Sequence, residues 1–295
     1  MRVVGLVTAG NSSDVLAGCI EHHLAQGVDA FAIVHIHSDD DTPEQMRELA
    51  RRPHVEALFP TLEDILSGRV MGDALDFIRT RMAADWIVYI DSDERWFSRG
   101  RSLNQKLAEA SRSAVIAPRY NVVWPTPEAA RDSGRSSLPL EGLPLAAFPV
   151  GLDAGAPRDL GDAPWVLTRI LPKCCIRADP AISFHAGGHW AIDRASGARI
   201  ADEGLADLLV AQLAFTTRER FEHKARFVQA MRARRPHEVG ASSHWGWHWD
   251  RLAQLVEADS GALEAEWRAQ FLSAAEARAL AGREVIVDAT RAFGL

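Results

Sequence analysis

Over the first 120 residues, hydrophobic positions alternate between two rhythms. Short, largely apolar runs at 3–8, 31–36, 55–59, 86–90 and 114–117 predict buried strands. Between them, apolar residues recur at helical spacing. Over 14–26, Val15, Leu16, Cys19, Ile20 and Leu24 share one side, with Asn11, Ser12 and Ser13 as N-caps and Gly27 as a stop. Thr42-Pro43-Glu44 opens a second helix with Pro43 at its first position. Further helices are predicted over 71–83 and 103–111. Strands alternating with helices predict an α/β fold: a Rossmann-like, mostly parallel sheet flanked by helices. From 125 to 164 Pro and Gly are frequent and periodicity is lost, which predicts a long loop, either a lid or a surface insertion. Short strands return over 165–190. The tail reads as helices over 216–234, 244–258 and 262–281, with 284–288 open as a short strand. The expected organisation is a sheet domain over 1–200 and a helical C-terminal region over 201–295 packing on it. No internal repeat is visible.

Composition narrows the class. Hydrophobic residues make up 47% and charged residues 25% of 295 residues, which excludes a disordered chain. A net charge of -7 gives no reason to expect a nucleic-acid partner. It leaves room for an anionic substrate held through a cation. No stretch approaches the roughly 20 apolar residues of a transmembrane segment. The opening Met1-Arg2-Val3-Val4-Gly5-Leu6-Val7 is too short for a signal peptide. The three cysteines show no CxxC spacing, so a reducing cytoplasm is expected. Cys19 reads as a small buried residue, and Cys174 and Cys175 as strand neighbours on opposite faces.

The chemistry concentrates at Ile90-Asp91-Ser92-Asp93-Glu94, directly after a buried strand. In parallel sheets, ligands bind beyond the carboxyl ends of strands. Two carboxylates two residues apart on a turn suit a hard cation, Mn²⁺ or Mg²⁺, which keeps open positions for phosphates. Such a cation neutralises a departing nucleoside diphosphate. On this reading Asp93 is the direct ligand, while Asp91 contacts a ribose or a metal-bound water. The bland alternative is a solvated acidic turn.

Several segments resemble bacterial GT2-like glycosyltransferases, a group related to the GT92 enzymes. Glu21-His22-His23-Leu24-Ala25-Gln26-Gly27-Val28-Asp29 resembles their HHL-x-x-G-V-D signature. His37-Ser38-Asp39-Asp40-Asp41-Thr42 resembles S-x-D-G-T, with Asp41 in place of Gly. The segment from Asp85 to Glu94 resembles D-W-V-x-x-x-D-x-D-E-F, the DxD motif. Gly188-His189 and Phe221-Glu222-His223-Lys224 resemble later elements of the family. The resemblance implies a GT-A fold, a nucleotide-sugar donor carrying UDP, GDP or dTDP, a divalent metal, and inverting transfer to an acceptor hydroxyl. It implies donor contacts from the loop Thr8-Ala9-Gly10-Asn11, from Asp40, and from Asp91, Ser92 and Asp93. One departure matters: Gln212 and Thr216 stand where the family has His and Arg. A histidine completing the metal shell then shifts to His185 or His189, in a segment whose two glycines permit close approach to a ligand; both histidines read equally well as packing residues.

Inverting transfer needs a base, for which Asp162 is the first candidate and Glu141 and Asp159 are alternatives. Trp190, Trp245 and Trp247 are candidates for an acceptor platform, though Trp245 and Trp247 read more readily as a packing face. A nucleotidyltransferase and a non-catalytic sugar-nucleotide-binding protein are the rival readings. The first is disfavoured because the loop TAGNSSD carries no basic residue.

Overall fold

The computed structural model describes residues 1–147, 164–234, 254–258 and 260–293. The first four apolar runs form strands β1 (Val3–Ala9), β2 (Ala30–His35), β3 (Val55–Leu58) and β4 (Trp86–Asp91). They pair in parallel in the order β4–β1–β2–β3. Helices α1 (Leu16–Ala25), α2 (Thr42–Leu49), α3 (Leu62–Ser67), α4 (Val70–Arg81) and α5 (Leu103–Ala108) cover the two faces. The period of two divides the core between them. Val3, Val7, Phe31, Ile33, Trp86, Val88 and Ile90 pack with Leu16, Cys19 and Ile20 of α1, Met46 of α2 and Leu107 of α5. The alternate residues Val4, Leu6, Ala32, Val34, Ile87 and Tyr89 pack with Ala74, Leu75 and Ile78 of α4. Each fully buried Val, Leu, Ile or Phe here contributes about 1.5–3 kcal/mol.

Beyond β4 the chain departs from a simple parallel order. β5 (Glu94–Ser98) follows at once, then β6 (Ala114–Ala117), β7 (Arg119–Asn121), helix α6 (Pro127–Gly134), β8 (Pro144–Ala146) and β9 (Lys173–Arg177). β9 inserts antiparallel between β4 and β6, making the main sheet mixed but still mostly parallel. Its neighbours Cys174 and Cys175 face opposite cores, as expected. β10 (Ile182–Phe184) and β11 (Ala191–Asp193) form a hairpin-like pair, and β12 (Glu203–Gly204) closes the main sheet beside β6. β13 (Leu208–Gln212) lies between β5 and β7 in a second sheet, and β14 (Ile286–Asp288) pairs with β8.

Three expectations change. Residue 200 is no boundary, because β12 and β13 complete sheets begun by N-terminal strands. The expected loop over 125–164 contains α6 and β8. Thr126 Oγ1 accepts from Ala129 N at 3.2 Å and Pro127 sits in the first turn of α6, an N-terminal helix signal. The single helix expected over 262–281 is two, Ser260–Ala269 and Ala274–Gly282. Ser273 and Glu276 form a capping box that starts the second. Helix α7 (Arg218–Arg234) is present over most of its predicted span. Among the described residues no helix is long and apolar enough to cross a membrane.

Candidate functional site

The order β4–β1–β2 makes β1 the strand at which the chain reverses direction across the sheet. The crevice beyond the carboxyl ends of β1 and β4 is therefore the expected ligand site of such a sheet. Thr8 and Asp91 are register partners there, and Thr8 Oγ1 donates to Asp91 Oδ1 at 2.8 Å. The turn between β4 and β5 is fixed from several sides. Asp91 N donates to Glu94 Oε2 at 3.0 Å, and Ser92 N donates to Thr8 O at 3.2 Å. Ser92 Oγ meets Ser12 Oγ at 2.7 Å, and Leu213 N donates to Asp93 O at 2.8 Å. Buried Arg95 donates to the carbonyls of Ser92, Glu94, Val15 and Gly134, tying the turn to α1 and α6.

One edge of β5 pairs with β13; α1 closes the other. Cys19 Sγ lies 3.8 Å from Glu94 O. His22 Nε2–H donates to Trp96 O at 2.9 Å, and His23 Nε2 accepts from Trp96 N at 3.1 Å. Gln26 Oε1 accepts from Ser98 N at 3.1 Å. Two helical turns rise about 11 Å and four strand residues about 13 Å, so these side chains keep step with the strand. The paired histidines of the HHL segment thus substitute for a neighbouring strand and blunt a free edge. Burial pushes His22 down to about 3, helped by the charge of Arg95, and drives His23 well below its ordinary value.

The opposite flank of the turn is ionic. Lys173 Nζ, from β9, donates to Asp91 Oδ2 at 2.6 Å and to Gly187 O at 2.8 Å, and lies 3.3 Å from Glu94 Oε1. Arg119 of β7 meets Glu94 Oε1 at 2.6 Å. Lys224 of α7 donates to Asp93 Oδ2 at 2.5 Å and to Ala214 O at 3.1 Å. Arg220, one turn earlier, lies 3.5 Å from Asp93 Oδ2 and donates to Asn11 O at 2.9 Å and Asp14 Oδ1 at 3.1 Å. Burial alone would raise Asp93, but Lys224 and Arg220 overcome it and hold the carboxyl well below the usual range. Asp91 is held low in the same way, chiefly by Lys173 against the cost of burial. Glu94, fully buried beside two other carboxylates, is pushed up to about 7 by desolvation despite Lys173 and Arg119.

The loop after β1 borders this network. Asn11 takes the left-handed conformation (φ +43°), which Asn tolerates. Its Nδ2 bonds both Asp39 Oδ1 and His223 Nδ1, while Asp39 N donates to Asn11 Oδ1 at 2.9 Å. A Cβ on Gly10 would stand 2.9 Å from His37 O, so only glycine lets these two loops touch. Thr8, Ala9, Gly10, Asn11, Asp91, Ser92 and Asp93 are therefore brought together. Asp40 is not free for a donor: its oxygens accept from Ser13 N at 3.1 Å and Thr42 N at 3.0 Å, bracing the loop instead.

The set expected around Mn²⁺ or Mg²⁺ does not assemble in this geometry. Among the described residues no three His, Cys, Asp or Glu side chains converge as a metal cluster. Each carboxylate of the turn already ends on an ammonium. His185 stacks on Trp190, ring centroids 4.1 Å apart. His189 Nδ1–H donates to Pro172 O at 2.9 Å, and the ring is pushed down to about 4 by burial, Lys173 and Arg119. A divalent ion beside it would meet those same two cations. The glycines of this segment serve packing: a Cβ on Gly188 would lie 2.3 Å from the Tyr89 ring. Trp190 is half-buried between His185 and Arg199, whose guanidinium sits 5.4 Å from its ring centre. Glu141 is exposed on the turn before β8, in a separate small sheet from the Asp91 turn. Asp159, Asp162, Trp245 and Trp247 lie outside the described residues.

Lys173, Arg119 and Arg220 escaped the sequence reading, and Lys224 entered it only as the end of the Phe221-Glu222-His223-Lys224 segment, with no role. Two signals were available: a lysine opening the apolar run Lys173-Cys174-Cys175-Ile176, and Arg220 and Lys224 four apart on one helix face.

No protein-family model matches the chain, and no curated protein matches it in sequence. Among solved structures, it is similar to S. aureus TarS 1–349 at 12% identity and TM-score 0.41, over 85% of this chain and 69% of that one. The same protein in complex with UDP-GlcNAc gives TM-score 0.37 at 12% identity over 85% and 70%. HddC from Yersinia pseudotuberculosis gives 0.27 at 15% identity over 42% of this chain and 60% of that one.

Proposed function

We propose that this chain is a glycosyltransferase of the GT-A type, moving a sugar from a nucleoside-diphosphate donor to an acceptor hydroxyl. The observation that carries the reading is the placement of a braced, highly charged turn at the point where strand order reverses. Sheets of this kind use that crevice for ligands, and nucleotides are its usual occupants. The loop Thr8–Asn11 with Asp39 offers hydrogen-bonding groups for a nucleoside. Asp91 is a third exposed, with an acceptor face for a ribose or sugar hydroxyl. The basic groups behind it meet the negative charge that grows on a departing diphosphate, and fixed charges of this kind are a large source of rate enhancement. On the sequence resemblance the transfer inverts the anomeric centre. Three buried free thiols suit a reducing compartment.

The test is a melting screen with UDP, GDP and dTDP, followed by an assay of nucleoside diphosphate release from the matching sugar donors. A saturating ligand at 100 times its Kd stabilises the fold by about 2.7 kcal/mol. Asp91→Asn should lower turnover about 100- to 1000-fold, with circular dichroism confirming that the protein stays folded although Lys173 loses its charged partner. If no nucleoside diphosphate shifts the melt and no donor is cleaved, the proposal fails. Pyrophosphate release from a nucleoside triphosphate and a sugar phosphate would replace it with nucleotidyl transfer.

A further inference from the structure

We infer that the departing diphosphate is met by ammonium groups of the protein in place of a divalent cation, with Lys224 as the group that touches it. The inference rests on the reading under Proposed function and adds the identity of the counter-charge.

The balance of charge around the turn is the first argument. Four carboxylates, Asp14, Asp91, Asp93 and Glu94, are ion-paired with four cations, Arg119, Lys173, Arg220 and Lys224. A site that attracts a divalent cation needs surplus negative charge. Here every carboxylate of the turn is already matched by a cation of the chain, which leaves no surplus to hold a divalent ion.

The two lysines then divide by what they have left to give. An ammonium has three N–H groups. Lys173 is wholly buried and spends its donors on Asp91, Gly187 O and Glu94, with the Tyr89 ring 4.6 Å below. It positions Asp91 and has no donor for a ligand. Lys224 spends two, on Asp93 and Ala214 O, and its side chain keeps 21% of its surface exposed. It can also turn toward a phosphate, whose negative charge then replaces that of Asp93 as its partner. Asp93 would still have Arg220 at 3.5 Å, so no carboxylate is stranded when Lys224 changes partner.

Helix α7 places this ammonium beside the nucleoside loop. Within one and a half turns it brings Arg220 to Asn11 O, His223 to Asn11 and Asp39, and Lys224 to Asp93. A nucleoside held by the loop after β1 would carry its diphosphate along this face. As the anomeric C–O bond breaks, its electron pair stays on the β-phosphate oxygen. The acceptor oxygen bonds the anomeric carbon, and its proton leaves to a carboxylate or water. Lys224 donates to the oxygen on which charge accumulates.

Calorimetric titration of UDP, GDP and dTDP into protein stripped with EDTA, and again with Mn²⁺ present, decides the matter. The wild type should bind in EDTA, with Mn²⁺ changing Kd by no more than about threefold, well short of the tenfold that marks a real added interaction. Lys224→Ala should weaken binding about 10- to 100-fold in both buffers, as loss of a charged hydrogen bond does. Lys224→Arg should retain most of the affinity, and circular dichroism of both variants checks the fold. Binding and donor cleavage that vanish in EDTA and return with Mn²⁺ would overturn the inference and leave the glycosyltransferase reading standing. Unchanged affinity in a folded Lys224→Ala would overturn it too. No binding by the wild type in either buffer, together with no donor cleavage, would remove both readings.

Discussion

The turn joining β4 to β5 buries polar side chains on both flanks, and the flanks treat charge in opposite ways. On the α1 flank, His22 and His23 meet neutral groups: the backbone of Trp96 and Cys19, the Ser137 hydroxyl at 3.2 Å and the Cys19 thiol at 3.6 Å. Those partners ask for one donor and one acceptor, which a neutral imidazole supplies and an imidazolium does not. On the flank made by β9 and α7, Lys173 and Lys224 meet carboxylates. Burial disfavours charge on both flanks, lowering both histidines and Lys224, and only on the ionic flank do carboxylates oppose it. The neutral flank fixes shape whatever is bound. The ionic flank holds charge that can be handed to a ligand.

The largest test of this contrast breaks the ionic flank. Asp93→Ala leaves Lys224 without its carboxylate, while Arg220 keeps Asp14. Removing one partner of a buried pair costs about 3–5 kcal/mol, measured by urea unfolding. Adding Lys224→Met to that variant should recover much of the loss, because the stranded charge goes with it. A loss below about 1 kcal/mol in the single variant would show Lys224 turning freely to solvent, and the pair would then hold nothing in place.

The neutral flank breaks with acid instead. In the unfolded chain a histidine takes up a proton near pH 6.5, whereas folded His22 resists it down to about 3. Between those values the unfolded state binds more protons, so stability is full above pH 6.5 and falls as pH drops through this window. Each histidine costs about 1.4 kcal/mol per pH unit there. His23→Leu removes the acceptor of Trp96 N and the donor to Cys19 O, costing about 1–3 kcal/mol at neutral pH. It should also make the acid limb of the stability curve shallower. An unchanged slope would mean His23 is not held neutral.

What the sequence made legible follows from range. The strands at Val3–Ala9, Ala30–His35 and Trp86–Asp91 show themselves because burial on both faces leaves a largely apolar run. Asp91 and Asp93 stand out because they close such a run. The histidine pair is visible as a motif, but its duty to Trp96 is not, since the partner lies more than 70 residues away. For the same reason the lysines could not be matched to their carboxylates: Lys173 and Lys224 are separated from them by 82 and 131 positions. A local reading sees two acids and supplies a metal from outside. The fold supplies cations from within the chain, through an antiparallel β9 and a helix assigned to another domain. The break at Ser273 was within reach, because the capping box is a pattern of four residues.

The smallest effect lies where the neutral flank meets solvent. Gln26 Oε1 continues the seal at Ser98 N, the last of the β5 groups that α1 covers. Both residues are only half-buried, unlike Trp96, which is fully enclosed. In Gln26→Ala, water can reach Ser98 N and replace the lost acceptor, so the cost should stay near the net worth of one exchanged hydrogen bond, about 0.5–1 kcal/mol. Native-state hydrogen exchange would show the Ser98 amide losing protection while that of Trp96 keeps it. Joint loss of protection at both amides would mean that α1 lifts from β5 as a unit. The turn carrying Asp91 and Asp93 would then be braced by the docking of the whole helix, with the individual side-chain contacts secondary.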